Sequence, residues 1–329
     1  MIGVSPMALA RSGILGMNCR NVSYIGRYNP RRLFPLVDNK LRTKFLAEKA
    51  GVVTPRLYYV IQHQYEISRV GQLLARIKGG FAIKPAKGSG GKGILVIIGR
   101  RGENFVKASG VEVTLEDIER HLTNTLAGLY SLSGSPDVVI IEELIEFDPV
   151  FAGYSHEGVP DIRIIVFKGY PVMAMLRLAT HASDGKANLH QGAVGVGLDI
   201  ATGRCLNAVQ FSKPIKQHPD TGMGFDKIQV PNWPVMLNLA ARCYEMTGLG
   251  YIGTDLVLDA KRGPLLLELN ARPGLAIQVA NGCGLLPRLR HIESLAVRHD
   301  SPERRVRYAM QEFATAAPEI PNEMFPAMA

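Results

Sequence analysis

The sequence predicts an α+β protein in which antiparallel strand pairs alternate with short helices. Residues 81–98, FAIKPAKGSGGKGILVII, place a glycine-rich loop between two apolar runs. Residues 161–178 form two further apolar runs around the turn Lys168-Gly169, and residues 253–270 repeat this pattern, which is typical of hairpins. Helical patterns lie between these pairs, at residues 66–78, 114–130 and 234–246.

Length and composition restrict the class of protein. A chain of 329 residues can form two or three compact lobes around a sizeable core. No stretch approaches the roughly 20 apolar residues of a membrane span, and the N-terminus lacks a signal-peptide pattern, so we expect a cytoplasmic protein with no membrane partner. The four cysteines are widely spaced, which argues against a disulfide framework and a zinc site.

The net charge of +9 favours anionic partners. Lysine and arginine are spread along the chain and are not clustered with aromatic residues, so nucleotide phosphates or an acidic substrate explain the charge as well as nucleic acid does. We therefore do not expect a nucleic-acid partner.

The first 35 residues are too short for a domain and are predicted to be a short N-terminal segment. After them, Leu41, Phe45 and Leu46 have helical spacing, and Gly51 is placed to end the helix before an extended run. Lys40 at the entry of this helix could reach a phosphate, or it is an ordinary surface lysine.

The glycine loop satisfies G-x-G-x-x-G at Gly88, Gly90 and Gly93. A dinucleotide-binding loop is followed by a helix, whereas residues 94–98 are strand-like, so the pattern predicts a hairpin flap over phosphates. A mobile hairpin without a ligand is the alternative. Residues with backbone or side-chain donors for phosphates are Lys84, Ser89, Gly90, Gly91 and Gly93.

Two acids end the apolar run of residues 138–145. Glu142 and Glu143 could accept hydrogen bonds from an adenine amino group or from ribose, or they lie at a solvated strand end. The preceding helix has Thr114 and Asp117 at the spacing of a capping box.

Arg163 and Arg177 lie in the two strands of residues 161–178. An arginine in a strand can present its planar fork to a carboxylate or phosphoryl group. The loop that follows contains many polar donors, which favours an anionic transition state. We rank Arg177 and Asn188 above the histidines. The donors are His181, Lys186, Asn188, His190 and Gln191.

Residues 205–234 show no periodicity and contain several Pro and Gly residues, so they are predicted to be a long surface connection or a substrate-facing loop. A helix from Pro234 to Met246 follows, with Gly248 as its stop. Further helices are expected from Leu285 to about Val297 and beyond Ser301, before a mobile tail.

The hairpin of residues 253–274 carries three oxygen ligands. Glu268 and Asn270 point to one face of their strand because side chains alternate, and pairing across the turn could bring Asp255 beside them. Two carboxylates and an amide oxygen suit Mg²⁺. The alternative is a hairpin whose polar residues only cap its ends.

Taken in order, these motifs resemble the ATP-grasp superfamily. Within it, FAIKPAKGSGGKG, DIRIIVF, KANLH and GPLLLELNARPGL are similar to the RimK-type α-L-glutamate ligases, whereas HPDTG and IQVPNW are similar to the sugar-transfer-associated ATP-grasp proteins. The resemblance implies two α+β lobes clasping ATP, with a reduced N-terminal segment. The lobes would be residues 36–145, with the glycine flap, and 146–300, with the metal, followed by a C-terminal helix and tail at 301–329.

The resemblance also implies roles for individual residues. Nucleotide contacts would come from Lys40, Lys84, Ser89, Gly90, Gly91, Gly93, Glu142, Glu143 and Leu144. Mg²⁺, as a rule two ions and replaceable by Mn²⁺, would be held by Asp255, Glu268 and Asn270. Catalytic contacts are expected from Arg177, Asn188 and Arg272, and substrate contacts from Arg163, Lys186 and His190.

The implied activity is ATP-dependent joining of a carboxylate to an amine through an acyl phosphate, with glutamate or another amino acid added to a peptide or protein. The alternatives are ligation in sugar-conjugate modification, a kinase-like phosphotransferase and a non-catalytic nucleotide-binding protein. The absence of kinase motifs and the presence of all three metal ligands disfavour the last two. A homo-oligomer is compatible with this expectation.

Overall fold

The computed structural model describes residues 6–88, 90–131 and 134–315. Its strands are β1 (Leu57–Ile61), β2 (Phe81–Pro85), β3 (Leu95–Arg101), β4 (Asn104–Lys107), β5 (Glu112–Val113), β6 (Val139–Glu143), β7 (Asp161–Phe167), β8 (Tyr170–Leu178), β9 (Val194–Leu198), β10 (Cys205–Gln210), β11 (Lys213–Ile215), β12 (Tyr251–Asp259) and β13 (Gly263–Asn270). Its helices are α1 (Pro6–Arg11), α2 (Met17–Cys19), α3 (Gly26–Tyr28), α4 (Lys40–Lys49), α5 (Val70–Ala75), α6 (Leu115–Leu126), α7 (Trp233–Thr247), α8 (Ala276–Asn281), α9 (Leu286–Ser294) and α10 (Pro302–Glu312).

The chain divides into two compact units. The smaller unit holds residues 38–45 and 54–146. The larger unit holds residues 46–53 and, of the described residues, those up to Val37 and from Phe147 onward. Each unit contains one antiparallel sheet and its own apolar core, so the predicted α+β class is confirmed.

The smaller unit has a six-stranded sheet in the order β1-β6-β2-β3-β4-β5. Helix α6 buries Ile118, Leu122 and Leu126 along one stripe, because these residues recur every three to four positions. Its N-terminus has the predicted capping box: the Asp117 amide donates to the Thr114 hydroxyl, and the Asp117 carboxylate accepts from the Thr114 amide. Strands β2 and β3 pair with each other on either side of the glycine loop, which confirms the prediction that this loop joins two strands of a hairpin.

The larger unit has a seven-stranded sheet in the order β11-β10-β9-β8-β7-β12-β13. Strands β8 and β12 are buried along their whole length, which places them at the centre of the core. Helix α7 ends where Gly248 adopts a φ of 70°, a left-handed conformation that favours glycine, as predicted. The hairpins β7–β8 and β12–β13 are also confirmed.

The N-terminal residues lack periodicity but pack into the larger core, where Leu15, Tyr24 and Ile25 are buried. Asn29 fixes this segment to the sheet. Its side-chain nitrogen donates to the Tyr251 carbonyl at 2.7 Å, and its side-chain oxygen accepts from the Tyr251 amide at 2.9 Å. The contact bridges more than 200 positions of sequence, so no local pattern indicates it.

The expectation of a long surface connection without periodicity at residues 205–234 is wrong, because part of this segment is strand, whereas the alternative of a substrate-facing loop stays a prediction. Strands β10 and β11 extend the larger sheet at one edge, and the side chains of His218, Phe225 and Ile228 are buried. The strands are short and irregular, and a register shift interrupts the pairing of β10 with β9, so the period-two pattern is lost.

Two other predicted helices differ in extent. The helix expected at residues 66–78 is a 3₁₀ segment, Gln64–Arg69, followed by α5. The helix expected from Leu285 to Val297 is α9, which ends at Ser294. Within the described part of the chain, none of the helices has both the length and the apolar character needed to cross a membrane.

Candidate active site

A line of charged side chains crosses four adjacent strands of the larger sheet. Strand pairing places Asp161 opposite Arg177, Arg163 opposite Asp255, and Asp255 opposite Glu268. Residues paired across antiparallel strands share a face, and so do residues two apart in one strand. The five side chains therefore lie on one face of β8, β7, β12 and β13, and we call them the charged line.

Two arginines, the buried Arg177 and the half-buried Arg163, hold the two aspartates of this line. Arg163 donates to both oxygens of Asp255 at 2.7 and 2.6 Å. Arg177 donates to both oxygens of Asp161 at 2.5 and 2.8 Å, and its Nη2 also lies 2.8 Å from Asp255 Oδ2. The four groups form one connected, charge-balanced network, because planar guanidinium forks match carboxylates.

Burial and charge act in opposite directions on these carboxyl groups. Burial opposes the ionisation of Asp255, but Arg163 and Arg177 lower its pKa to about 2. Burial raises the pKa of Asp161 to about 6 against the effect of Arg177, and the neighbouring Asp255 carboxylate adds to the rise. Asp255 therefore carries its negative charge at neutral pH.

The predicted metal ligands lie together on this face. Asp255 is paired with Glu268, and Asn270 is two residues beyond Glu268, opposite Gly253. Asp255 is buried, whereas Glu268 and Asn270 are half-buried. The Asn270 side-chain oxygen accepts from the backbone amide of Arg272 at 2.8 Å. The hairpin therefore has the predicted geometry, and metal binding stays a prediction.

The donor types fit Mg²⁺, but Asp255 contributes less than the sequence suggests. A carboxylate offers about four acceptor positions, and the two arginines occupy three of them. In the described part of the chain, no three His, Cys, Asp or Glu side chains are grouped as a metal site. A cation here would therefore depend on Glu268, on the Asn270 amide oxygen and on the position left on Asp255.

The loop after β8 carries the other predicted residues of the larger unit. Asn188 is half-buried, and its side-chain oxygen accepts from the His190 amide at 3.0 Å, so that it caps the short turn Leu189–Gln191. Lys186 forms an exposed ion pair with Asp184 at 3.0 Å. His190 is exposed. Arg272 follows β13 directly after Ala271, and it is exposed with its guanidinium 5.1 Å from the Phe34 ring centre.

The smaller unit has its own buried charge cluster, made of Lys84, Glu142 and Lys44. The Lys44 ammonium lies 2.8 Å from one Glu142 oxygen, and the Lys84 ammonium pairs with the other. Burial alone would raise the pKa of Glu142, but Lys84 and Lys44 lower it overall. Both oxygens of Glu142 therefore bind lysines in this structure, and its predicted role at adenine or ribose stays a prediction.

The glycine loop lies between β2 and β3. Gly90, Gly91 and Gly93 have φ values of 63°, 76° and 73°, which non-glycine residues rarely adopt. The Lys40 ammonium donates to the Gly88 carbonyl at 2.6 Å, so Lys40 is tied to the start of this loop. Ser89, predicted to add a hydroxyl donor, lies outside the described residues.

Two residues that the sequence argument missed are part of these clusters. Asp161 lies two positions before Arg163, which puts both on one face of β7. Lys44 lies one helical turn after Lys40, so the two share a face of α4. The sequence spacing could have shown that each of these residues shares a face with a predicted one, but it could not have shown which residues of other strands they contact.

Glu143 and Leu144, also predicted at the nucleotide, are half-buried at the end of β6. The Glu143 amide donates to the Arg56 carbonyl at 2.9 Å. Their role at the nucleotide stays a prediction.

A family model for sugar-transfer associated ATP-grasp proteins matches residues 19–294. The match covers most of the chain and both sheets, and the chain belongs to this family. The match confirms the predicted ATP-grasp superfamily and the predicted similarity to its sugar-transfer associated members. It does not show the RimK-type group. A comparison with curated proteins finds no match.

Several solved structures are similar to this chain at low identity. The ATP-grasp ligase PsnB, complexed with a minimal precursor, is 15% identical with a TM-score of 0.42, and the match covers 86% of this chain and 63% of PsnB. D-cycloserine synthetase DcsG is 15% identical with a TM-score of 0.43, over 94% of this chain and 82% of DcsG. D-alanyl-alanine synthetase A from Vibrio cholerae is 10% identical with a TM-score of 0.45, and the match covers 84% of this chain and 65% of the synthetase.

Proposed function

We propose that this protein is an ATP-dependent carboxylate–amine ligase that forms an amide bond through an acyl phosphate. The observation that supports this most is the charged line, which combines two fixed arginines with three carboxylates and lies beside the Asn270 amide, an oxygen donor of the type that binds Mg²⁺. A reaction in which a carboxylate must approach a triphosphate needs cationic groups held in place beforehand. Membership of the ATP-grasp family supports the nucleotide assignment.

The proposed reaction has two steps. A substrate carboxylate oxygen attacks the γ-phosphorus of ATP, the bond to the bridging oxygen breaks, and ADP leaves. The amine of the second substrate then attacks the acyl carbon, loses a proton, and expels phosphate. Mg²⁺, when bound, neutralises phosphate charge and orients the transferring group.

The residues of the chain hold the charges in place. Lys84 is fixed by Glu142, and Lys40 by the Gly88 carbonyl, so both ammonium groups are held near the glycine loop, where the phosphates would bind. Arg177 is held in one orientation by Asp161. Its guanidinium therefore does not need to reorient when it binds an anionic group of the substrate. Asn188 and Lys186 offer further polar groups from the loop after β8.

The first experiment is ATP-dependent phosphate release over a panel of carboxylates and amines, with mass spectrometry of the products. We expect release of one phosphate per amide formed with Mg²⁺, and parallel reactions test Mn²⁺. A phosphorylated final product would instead show a kinase-like phosphotransferase. ATP binding without turnover over the whole panel would favour a non-catalytic nucleotide-binding protein.

Glu268→Gln is the sharper variant for the metal prediction. The substitution removes the Glu268 carboxylate charge and should lower kcat by about a hundredfold, since one charged contact at such a site contributes about 3 kcal/mol to transition-state stabilisation. Asp255→Asn should also lower activity, but it removes the negative charge that Arg163 and Arg177 share and should destabilise the larger unit as well. Asp300→Asn, an exposed carboxylate of the same unit, is the matched control. Near-normal turnover of Glu268→Gln would refute the metal assignment.

The family description favours a sugar-derived substrate as a second candidate. The panel therefore includes amino sugars as amines and sugar acids as carboxylates, beside glutamate, other amino acids and short peptides. Turnover with glutamate and a peptide alone would support the glutamate-ligase subtype. Turnover with the sugar derivatives alone would support sugar-conjugate modification.

A further inference from the structure

Residues 216–224, KQHPDTGMG, form a turn whose contacts the proposed reaction does not use. The turn is closed by its own backbone: the His218 amide donates to the Met223 carbonyl, and the Gly222 amide donates to the His218 carbonyl, both at 2.8 Å. His218 is completely buried, which is uncommon for a titratable side chain. A buried imidazole requires partners for both ring nitrogens.

Both nitrogens of His218 have such partners. Nε2 lies 3.2 Å from the Ala179 carbonyl oxygen, and Nδ1 accepts from the Asp220 amide at 3.3 Å. Nε2 must therefore donate, so the neutral ring has one fixed tautomer. Burial lowers the pKa of His218, which keeps the ring neutral. The histidine thus connects the turn to the residue that begins the loop after β8.

Asp220 makes the next connection. Its carboxylate oxygen accepts from the backbone amide of His181 at 2.8 Å, where the first short turn of the loop, His181–Ser183, begins. Ala179 and His181, the residues on either side of Thr180, are thus both held from the same turn. Asp220 is exposed, so its substitution should leave the core intact.

The end of the same loop is held by the neighbouring hairpin β10–β11. The Gln210 side chain donates to the Gly192 carbonyl at 2.9 Å, and the Thr180 hydroxyl donates to the same oxygen at 2.9 Å. The Phe211 ring lies over Gly192, where an added Cβ would come within 2.8 Å of it. The loop between these points carries Lys186, Asn188 and His190.

We propose that residues 210–220 are a positioning clamp for the loop of residues 180–192, and that His218 and Asp220 thereby set the affinity for the substrate that this loop binds. The assignment of substrate to the loop rests on the proposed function. His218 and Asp220 are positioning residues in this account, since they act through the loop backbone. The clamp explains why the hairpin β10–β11 is followed by a turn that contains a buried histidine.

Asp220→Ala and Asp220→Asn test the clamp as a matched pair, because only the alanine lacks an oxygen acceptor for the His181 amide. We expect amide hydrogen exchange at residues 180–184 to rise about tenfold in Asp220→Ala and to stay within about threefold of wild type in Asp220→Asn. Lys213→Ala, exposed on β11, should leave exchange unchanged. Fluorescence of Trp233 reports that the larger unit stays folded.

The kinetic measurement is the KM for the loop-bound substrate, which should rise about tenfold in Asp220→Ala with the KM for ATP unchanged and recover in Asp220→Asn. Wild-type exchange rates in Asp220→Ala would overturn the clamp. Faster exchange with an unchanged substrate KM would overturn its role in affinity. If the wild type forms no amide with any substrate, the ligase function is refuted, while the exchange comparison still decides whether the clamp holds the loop.

Discussion

Charge balance in the Asp161–Arg177–Asp255–Arg163 network gives a quantitative prediction. The two arginines and two aspartates sum to zero, and all four side chains are almost entirely removed from solvent. Asp161→Asn removes one negative charge and at least one of the two bonds to Arg177, at 2.5 and 2.8 Å. Arg177→Gln removes one positive charge and leaves two aspartates with one arginine.

Breaking a buried ion pair from one side destabilises a protein by about 3 to 5 kcal/mol, because the remaining charge is uncompensated. We therefore expect each single variant to lower the free energy of unfolding of the larger unit by about 3 kcal/mol. The double variant keeps the bidentate Arg163–Asp255 pair and is neutral again. It should be destabilised by less than either single variant, which corresponds to a coupling of more than about 3 kcal/mol.

The assay is urea unfolding followed by tryptophan fluorescence. Trp233 is the only tryptophan of the chain, and it is buried in the larger unit with its indole nitrogen donating to the Ile200 carbonyl at 2.8 Å. The signal therefore reports the unit that contains the network. Arg31→Gln, an exposed arginine of the same unit, should change stability by less than about 0.5 kcal/mol. Additive losses in the double variant would refute the charge-balance argument.

Two further predictions concern the smaller unit. Because its lysine partners lower the pKa of Glu142 below the ordinary 4.5, its contribution to stability is fully present above about pH 4.5 and is lost as the pH falls through the folded value. Wild type should thus lose stability in that acid range more steeply than Glu142→Gln in pH-dependent unfolding followed by circular dichroism; equal slopes would contradict this. Gly93→Ala should destabilise the glycine loop more than Gly90→Ala, since both have positive φ but only Gly93 would place a Cβ 2.4 Å from the Tyr130 ring. Amide exchange in β2 and β3 measures the difference, and equal effects would exclude the ring contact as its cause.

The hairpins could be predicted because their information is local. In residues 253–270, two apolar runs on either side of the turn at Lys261–Pro264 are enough to predict a hairpin. The pairing of Asp255 with Glu268 depends in addition on a register shift between Asp255 and Leu256, which the position of the turn does not predict. The strand after the glycine loop was predictable for the same reason, since β-branched residues follow Gly93 directly.

Contacts between distant segments could not be predicted in this way. Lys44 and Glu142 are almost 100 positions apart, and Asp220 binds the amide of a residue 39 positions earlier. Each contact depends on the order of strands in a sheet, and periodicity within a segment carries no information on that order. The strands β10 and β11 were missed for a different reason, because both are short and a register shift interrupts the pairing of β10 with β9.

The charged line also changes how the predicted ligands are ranked. From the sequence, Asp255, Glu268 and Asn270 are equivalent oxygen donors on one hairpin. In the fold, Asp255 faces β7, and its charge is balanced by Arg163 and Arg177, whereas Glu268 and Asn270 lie on the outermost strand, β13. An aspartate whose charge is already balanced by arginines attracts a cation less strongly than it would without them. Asp255 is therefore best understood as the group that orients two arginines, and the metal-ligand roles of Glu268 and Asn270 stay predictions.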